Sequence, residues 1–224
     1  MNLSLPGIDM TPSVCEESDA SQWFTPMPIA RRMVAWAGLI KPRTILEPSA
    51  GSGNLVAACR ERWERAEIDA VELDGHYWRK LLATREIGEK TTVWHGDFLT
   101  FRPTFDDLYE LCVANPPYED GLDGRFLAHA MDLSDRVIAL VRLAALVGQA
   151  RTEAVWSRCS DDGDFALRGL ALFAGRPRFE AGRAIGDRED GGSAKADFCV
   201  VKLSRRSPAE MGKSIPTQIE WWMP

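Results

Sequence analysis

Along the chain, short runs of β-branched and apolar residues alternate with stretches in which apolar side chains return every three or four positions. The short runs cover residues 44–46, 68–74, 91–95, 108–114 and 137–141. The first four are closed by an acid, a glycine or an Asn-Pro turn, and the pattern predicts buried strands. Between them lie helical spacings: Ile29, Met33, Trp36 and Ile40; Leu55, Cys59 and Trp63; residues 77–85; and 124–131 with Leu127 and Met131 on one face. Strands and helices in this alternation predict an α/β fold with a mostly parallel sheet covered on both faces. Residues 148–168 are expected to hold a helix and a polar loop around Asp161, Asp162, Gly163 and Asp164. Two late strands, 169–173 and 197–203, are separated by an Arg- and Gly-rich excursion over 183–195, which predicts an antiparallel hairpin at one edge of the sheet. Trp221 and Trp222 are expected to pack back on the domain. Residues 1–21 read as a flexible arm, 22–204 as one catalytic domain and 205–224 as a tail.

The loops that close the strands carry the chemistry. After the first strand, Glu47-Pro48-Ser49-Ala50-Gly51-Ser52-Gly53-Asn54 forms a glycine turn at the start of a helix, where backbone N–H groups and the positive helix end face a ligand. Val56 stands where a dinucleotide site needs its third glycine, and no lysine-serine/threonine element follows, so neither the dinucleotide nor the ATPase loop is present. Glu47 adds a carboxylate at the strand end, which suits a ligand carrying positive charge. S-adenosylmethionine, with its sulfonium and ammonium, is such a ligand. Glu72, with Leu73 beside it, follows the glycines by about 20 residues, the separation at which an acid accepts ribose hydroxyls. Asp97 and Phe98 pair a hydrogen-bonding carboxylate with a ring that can pack on adenine. Thr25 before Pro26 either caps the following helix or touches the cofactor.

The fourth strand ends in Asn115-Pro116-Pro117-Tyr118. Two prolines fix an extended, rigid turn. Such a turn holds the Asn115 amide and the Pro116-side carbonyl as acceptors that grip an NH₂ group, while Tyr118 offers a surface for stacking.

Composition narrows the setting. The 224 residues suffice for one well-packed domain, with 45% hydrophobic and 27% charged residues. No apolar run reaches the roughly 18–20 residues that span a bilayer. Cys15, Cys59, Cys112, Cys159 and Cys199 are scattered without metal or disulfide spacing, which predicts no metal site and a reducing, cytoplasmic setting. The net charge of −6 means that any nucleic-acid contact must use a local basic face. Arg31, Arg32, Lys41 and Arg43, and later Arg176, Arg178 and Arg183, are the candidates, each otherwise a solvated surface charge.

In this order the motifs resemble those of class I, Rossmann-like amino-methyltransferases, and specifically the adenine DNA methyltransferases of phages and prophages. The resemblance runs from about Trp23 to Leu203. Phe24-Thr25-Pro26 is similar to the family's first cofactor motif, residues 47–53 to its glycine motif, Glu72 to its ribose-binding acid, Asp97-Phe98 to its adenine-binding pair and residues 115–118 to its catalytic motif. Phe126 corresponds to an aromatic residue that holds the flipped base. Arg142-Leu143 with Gly148-Gln149, and Arg176-Pro177-Arg178-Phe179, are similar to later segments of the phage type. The resemblance implies a seven-stranded sheet, S-adenosylmethionine as cofactor, DNA as partner and transfer to the exocyclic N6 amine of an extruded adenine, with no metal. It leaves open a homodimer or protein partner and a place in restriction-modification. No separate target-recognition domain is expected, so readout would fall to short loops such as 148–168 or 183–195. The tetrapeptide also serves adenine methyltransferases acting on RNA and enzymes methylating glutamine in proteins. A binding module that retains the fold without catalysis is the reading of another class.

Overall fold

The computed structural model describes residues 23–175, 177–181 and 196–223. The arm expected over 1–21, Arg176 and the 183–195 excursion lie outside the described residues.

In chain order the elements are β1 (Trp23–Phe24), α1 (Met27–Trp36), β2 (Thr44–Glu47), α2 (Asn54–Arg62), β3 (Glu67–Glu72), α3 (Gly75–Ala83), β4 (Thr91–His95), β5 (Leu111–Ala114), α4 (Leu122–Leu133), β6 (Arg136–Arg142), α5 (Gln149–Ala154), β7 (Phe165–Phe173), β8 (Glu180–Ala181), β9 (Phe198–Arg205) and β10 (Gln218–Trp222). Eight strands form one sheet in the order β10-β7-β9-β6-β5-β2-β3-β4. The pairs from β4 through β6 are parallel, and β9 runs against both β6 and β7.

Strand periodicity divides the core into two layers. Ile45, Ile68, Leu111, Ile138, Leu140 and Val200 face the helical layer of Met33, Val34, Leu55, Val56 and Leu81. The alternate positions, Leu46, Val71, Cys112, Val137, Ala139, Val141 and Val201, face Leu127, Ala130 and Met131 of α4. Hydrophobic runs on both sheet faces are what a buried parallel sheet requires.

Two expectations are corrected. Among the described residues the sheet has eight strands, not seven, because residues 218–222 of the expected tail add β10 parallel to β7, pairing Gln218 with Gly169 through Trp222 with Phe173. Trp222 is buried while Trp221 is exposed. The antiparallel pair β7–β9 is therefore not at the sheet's margin; β10 covers its outer side. A separate two-stranded ribbon joins β1 to β8, pairing Trp23 with Ala181 and Phe24 with Glu180.

From β2 the chain builds outward through β3 and β4, then crosses back to place β5 on the other side of β2. Such a switch leaves a crevice at the carboxyl ends of two adjacent strands, where open α/β sheets bind ligands. The glycine turn follows β2 and the Asn-Pro-Pro-Tyr turn follows β5, so topology alone brings them together. Among the described residues, no helix is long and apolar enough to cross a membrane.

Candidate active site

A cleft opens at the switch point, between the turns that follow β2 and β5. Its floor is the glycine turn. Gly51 has φ +51° and Gly53 φ +88°, left-handed values that side-chain-bearing residues rarely adopt. A Cβ on Gly51 would lie 2.6 Å from Cδ1 of Phe24, and one on Gly53 would lie 2.7 Å from Cδ2 of Leu81. The first glycine thus admits the Phe24 ring, whose other contact is an edge-on pair with Tyr77 at 4.7 Å. The second closes α2 against α3.

Two carboxylates brace this floor. Glu72 accepts from the Gly51 N–H at 2.6 Å and from the Asp74 N–H at 2.7 Å. Glu47 accepts from the Ser49 N–H at 3.1 Å, and its Oε2 is buried without a hydrogen-bond partner. Burial pushes both carboxyls up, Glu47 well above the ordinary carboxylate range, against the opposing effect of the N–H groups they accept from. Asp97 accepts from the Leu99 N–H at 2.9 Å, and Phe98 packs on Phe126 at 5.1 Å.

The catalytic turn is tied from several sides. Asn115 Nδ2 donates to the Trp23 carbonyl at 3.0 Å, so Oδ1 is left as the acceptor, and the Tyr118 hydroxyl donates to it. Ser49 Oγ donates to the Asn115 carbonyl at 2.9 Å, joining the two turns directly. The Tyr118 ring lies edge-on to Phe198 at 5.2 Å and beneath the Arg142 guanidinium at 5.5 Å. Burial raises the Tyr118 hydroxyl well above its usual range, opposed by the charge of Arg142.

Of the residues expected to form the site, Phe24, Thr25, Pro48, Ser49, Ala50, Gly51, Asn54, Glu72, Leu73, Asp97, Phe98, Asn115, Pro116, Pro117, Tyr118 and Phe126 all line the cleft. Glu47 and Gly53 do not: Glu47 shares strand parity with Ile45, lies behind the turn and is 1% exposed. Arg178 is exposed and away from the cleft lining. Thr25 is not a helix cap. Pro26 takes that position, α1 has no side-chain cap, and the Thr25 hydroxyl is buried at the cleft without a hydrogen-bond partner. Its carbonyl accepts from Asn54 Nδ2 at 3.0 Å. Trp23, Ser52, Leu55, Tyr77 and Gly96 complete the lining. Tyr77 is the informative omission, since its sequence neighbours give no sign that it supports Phe24. The first basic group is largely engaged elsewhere: Arg31 pairs with Glu61 at 2.8 Å, Arg43 with Glu110 at 2.7 Å, and Arg32 covers Trp222. Arg43 also precedes β2, at the end of the sheet opposite the cleft.

A sheet in this order, with one strand reversed and a glycine turn at its switch point, is the fold of class I S-adenosylmethionine-dependent methyltransferases. The methyltransferase subunit of a type I restriction-modification system from Streptococcus thermophilus superposes with a TM-score of 0.65 at 14% identity, over 84% of this chain and 46% of that one. TrmN from Thermus thermophilus does so with 0.54 at 21% identity, over 80% and 49%. No protein-family model matches the chain. In sequence it is 33% identical over 103 residues to the type II methyltransferase M.CvrRI of Paramecium bursaria Chlorella virus XZ-6E, covering 46% of this chain and 26% of that protein. It is 35% identical over 94 residues to a tRNA1(Val) (adenine(37)-N6)-methyltransferase of Enterobacter sp. strain 638, covering 40% and 38%. It is 31% identical over 101 residues to the release factor glutamine methyltransferase of Streptomyces coelicolor, covering 42% and 36%. The chain thus spans between about a quarter and two fifths of the length of these relatives.

S-adenosylmethionine is the cofactor of this class, and the residues present fit it. The left-handed Gly51 turn brings backbone to the cleft wall, an orphan Thr25 hydroxyl faces the cleft, and the Glu72 carboxylate that braces the turn borders it.

Proposed function

We propose that the protein methylates the exocyclic N6 amine of adenine in DNA, using S-adenosylmethionine. The observation that carries the reading is the Asn115 amide. Its NH₂ end is committed to the Trp23 carbonyl, which presents Oδ1 at the cleft as a fixed acceptor for an incoming amine. The ordered Phe-Thr-Pro, glycine-turn and Asn-Pro-Pro-Tyr motifs, together with the type II methyltransferase relative, support DNA as substrate.

When bound, the cofactor supplies an electrophilic methyl group on a sulfonium. The chain's own part is positioning and electrostatics. Asn115 Oδ1 and the Pro116 carbonyl accept from the amine and direct its lone pair away from the adenine plane. The Tyr118 hydroxyl now on Oδ1 shares that oxygen with the amine or yields it. Phe126, backed by Phe98, gives the base a hydrophobic wall. An adenine reaches this depth only when extruded from the duplex, at a cost of a few kcal/mol.

The test is transfer of labelled methyl to unmethylated duplex DNA, with RNA and protein in parallel, followed by nucleoside and amino-acid analysis. N6-methyl-2′-deoxyadenosine from DNA is the expected product. Label in RNA or in protein glutamine would replace the substrate, in line with the tRNA and release-factor relatives. Cofactor binding with no transfer to any of the three would turn the protein into a binding module. Asn115→Ala is expected to lower kcat by a factor of 100 or more, by roughly the scale of a lost positioned hydrogen-bonding group, with cofactor affinity largely kept. Equal loss of cofactor affinity would refute the assigned role.

A further inference from the structure

We propose that Arg142, held by the buried Asp123, is a positioning residue that pins the far end of the Asn115–Tyr118 turn; the catalytic consequence rests on methyl transfer being the reaction. Pro116 and Pro117 bring rigidity to the turn but remove two N–H groups, so it cannot be fastened by a backbone ladder of its own. Its carbonyls must find donors outside. At the near end, Ser49 Oγ supplies one to the Asn115 carbonyl at 2.9 Å. At the far end, Arg142 Nη2 donates to the Tyr118 carbonyl.

Arg142 is the last residue of β6, and its guanidinium is fixed on three sides. It covers the Tyr118 ring at 5.5 Å, bonds the Tyr118 carbonyl and lies 3.8 Å from Asp123 Oδ2. Asp123, in the first turn of α4, is 0% exposed. It also accepts from Arg151 Nε at 3.1 Å and Nη2 at 3.0 Å, and from the Gly124 N–H at 2.9 Å. One buried carboxylate facing two guanidiniums cannot be traded for a neutral group without leaving buried charge unpaired. A flat guanidinium can lie over a ring while donating in its plane to a carbonyl and keeping its charge beside a carboxylate, which an ammonium cannot. The same helix presents Phe126 to the cleft. Asp123 therefore couples the position of the Tyr118 carbonyl to that of the aromatic wall.

Arg142→Met keeps the aliphatic stem and removes the donors, and Arg142→Lys keeps charge and one donor. With the nucleic acid that the wild type methylates, Arg142→Met is expected to lower kcat about 100-fold, the scale of a misplacement near 1 Å. Cofactor Kd should stay within about twofold, and Arg142→Lys should fall between. Adding Arg142→Met to Asn115→Ala should cost no further rate, since residues acting as a unit are non-additive. In hydrogen exchange, the amides of residues 118–121 should exchange faster in Arg142→Met whatever the substrate. Unchanged kcat, multiplying losses in the double variant, a raised KM for nucleic acid at full kcat, or a parallel loss of cofactor binding would each overturn the assignment. A wild type silent on DNA, RNA and protein overturns the methyl-transfer reading instead, and the exchange measurement still decides the pin: unaltered protection over 118–121 refutes it. Should Arg142→Met fail to fold, the same measurements on Arg142→Lys decide.

Discussion

Replacing Gly51 by alanine inserts a single methyl group where the structure leaves no room for one. Two effects add. The residue sits at φ +51°, where an L side chain costs about 1 kcal/mol or somewhat more. The new Cβ would also lie 2.6 Å and 2.7 Å from two ring carbons of Phe24, so the ring must move. Its edge-on contact with Tyr77 at 4.7 Å, of the kind that contributes about 0.5–1.5 kcal/mol, is then lost. Together the loss is about 2 kcal/mol, which in a chain of this length lowers Tm by roughly 4–8 °C. Phe24 lines the cleft, so the displaced ring also intrudes on the cofactor, and its Kd should rise at least about tenfold, or about 1.4 kcal/mol. Thermal melts and calorimetric titration with S-adenosylmethionine measure both. In a Phe24→Ala background the steric part vanishes, and Gly51→Ala should cost only about 1 kcal/mol, the backbone component. If the two substitutions prove additive to within about 0.5 kcal/mol, or if cofactor affinity is unchanged, the close approach of ring and glycine is not what shapes this site.

Two further substitutions test the frame around it. Trp222 is 3% exposed and packs edge-on against Trp36 at 5.6 Å and Phe173 at 5.5 Å; Trp222→Ala should destabilise by about 3 kcal/mol in urea unfolding, and a loss below about 1 kcal/mol would mean that β10 is only loosely held. Arg168, at 2.8 Å, and the backbone and hydroxyl of Ser207 hold the Glu210 carboxyl down at about 2. A carboxyl lowered in the folded state contributes stability that is complete above its unfolded value near 4.5 and lost as pH falls toward 2. The stability gap between wild type and Glu210→Gln should therefore be steady at neutral pH and shrink as pH drops below about 4.5; a gap constant from pH 7 to 3 would exclude the ion pair as its cause.

Much of the cleft lining could be read from the sequence because the fold forces it to the strand ends. The glycine turn, Glu72, Asp97-Phe98 and Asn-Pro-Pro-Tyr each lie at or just past the carboxyl end of a strand, and parallel strands place all such ends on one side of the sheet. What escaped has physical causes. Whether Glu47 lines the cleft depends on strand parity, and a carboxylate at the end of a four-residue strand looks the same on either face. Gly53 shares the left-handed turn with Gly51, but only tertiary packing shows that its missing side chain admits Leu81 and not a ligand. β10 is five residues of mixed polarity, too short for alternation to register, and it is recruited by the exposed side of β7. Arg142 stands in the sequence only as part of a segment similar to the phage type, and its reach to the Tyr118 carbonyl is a tertiary contact that spacing does not reveal.

The bond from Asn115 to Trp23 is made to a main-chain carbonyl. For that contact the letter at position 23 is immaterial, since every residue type brings the same oxygen. What matters is count: one residue inserted between positions 23 and 25 would slip the β1–β8 register, move the oxygen away from Asn115 and turn Phe24 from the glycine floor to the opposite face. Drift in this stretch is thus constrained in length more tightly than in composition. Substitution scanning would find position 23 permissive toward Asn115, while a single-residue insertion or deletion beside it would disconnect the amide from the strap that orients it.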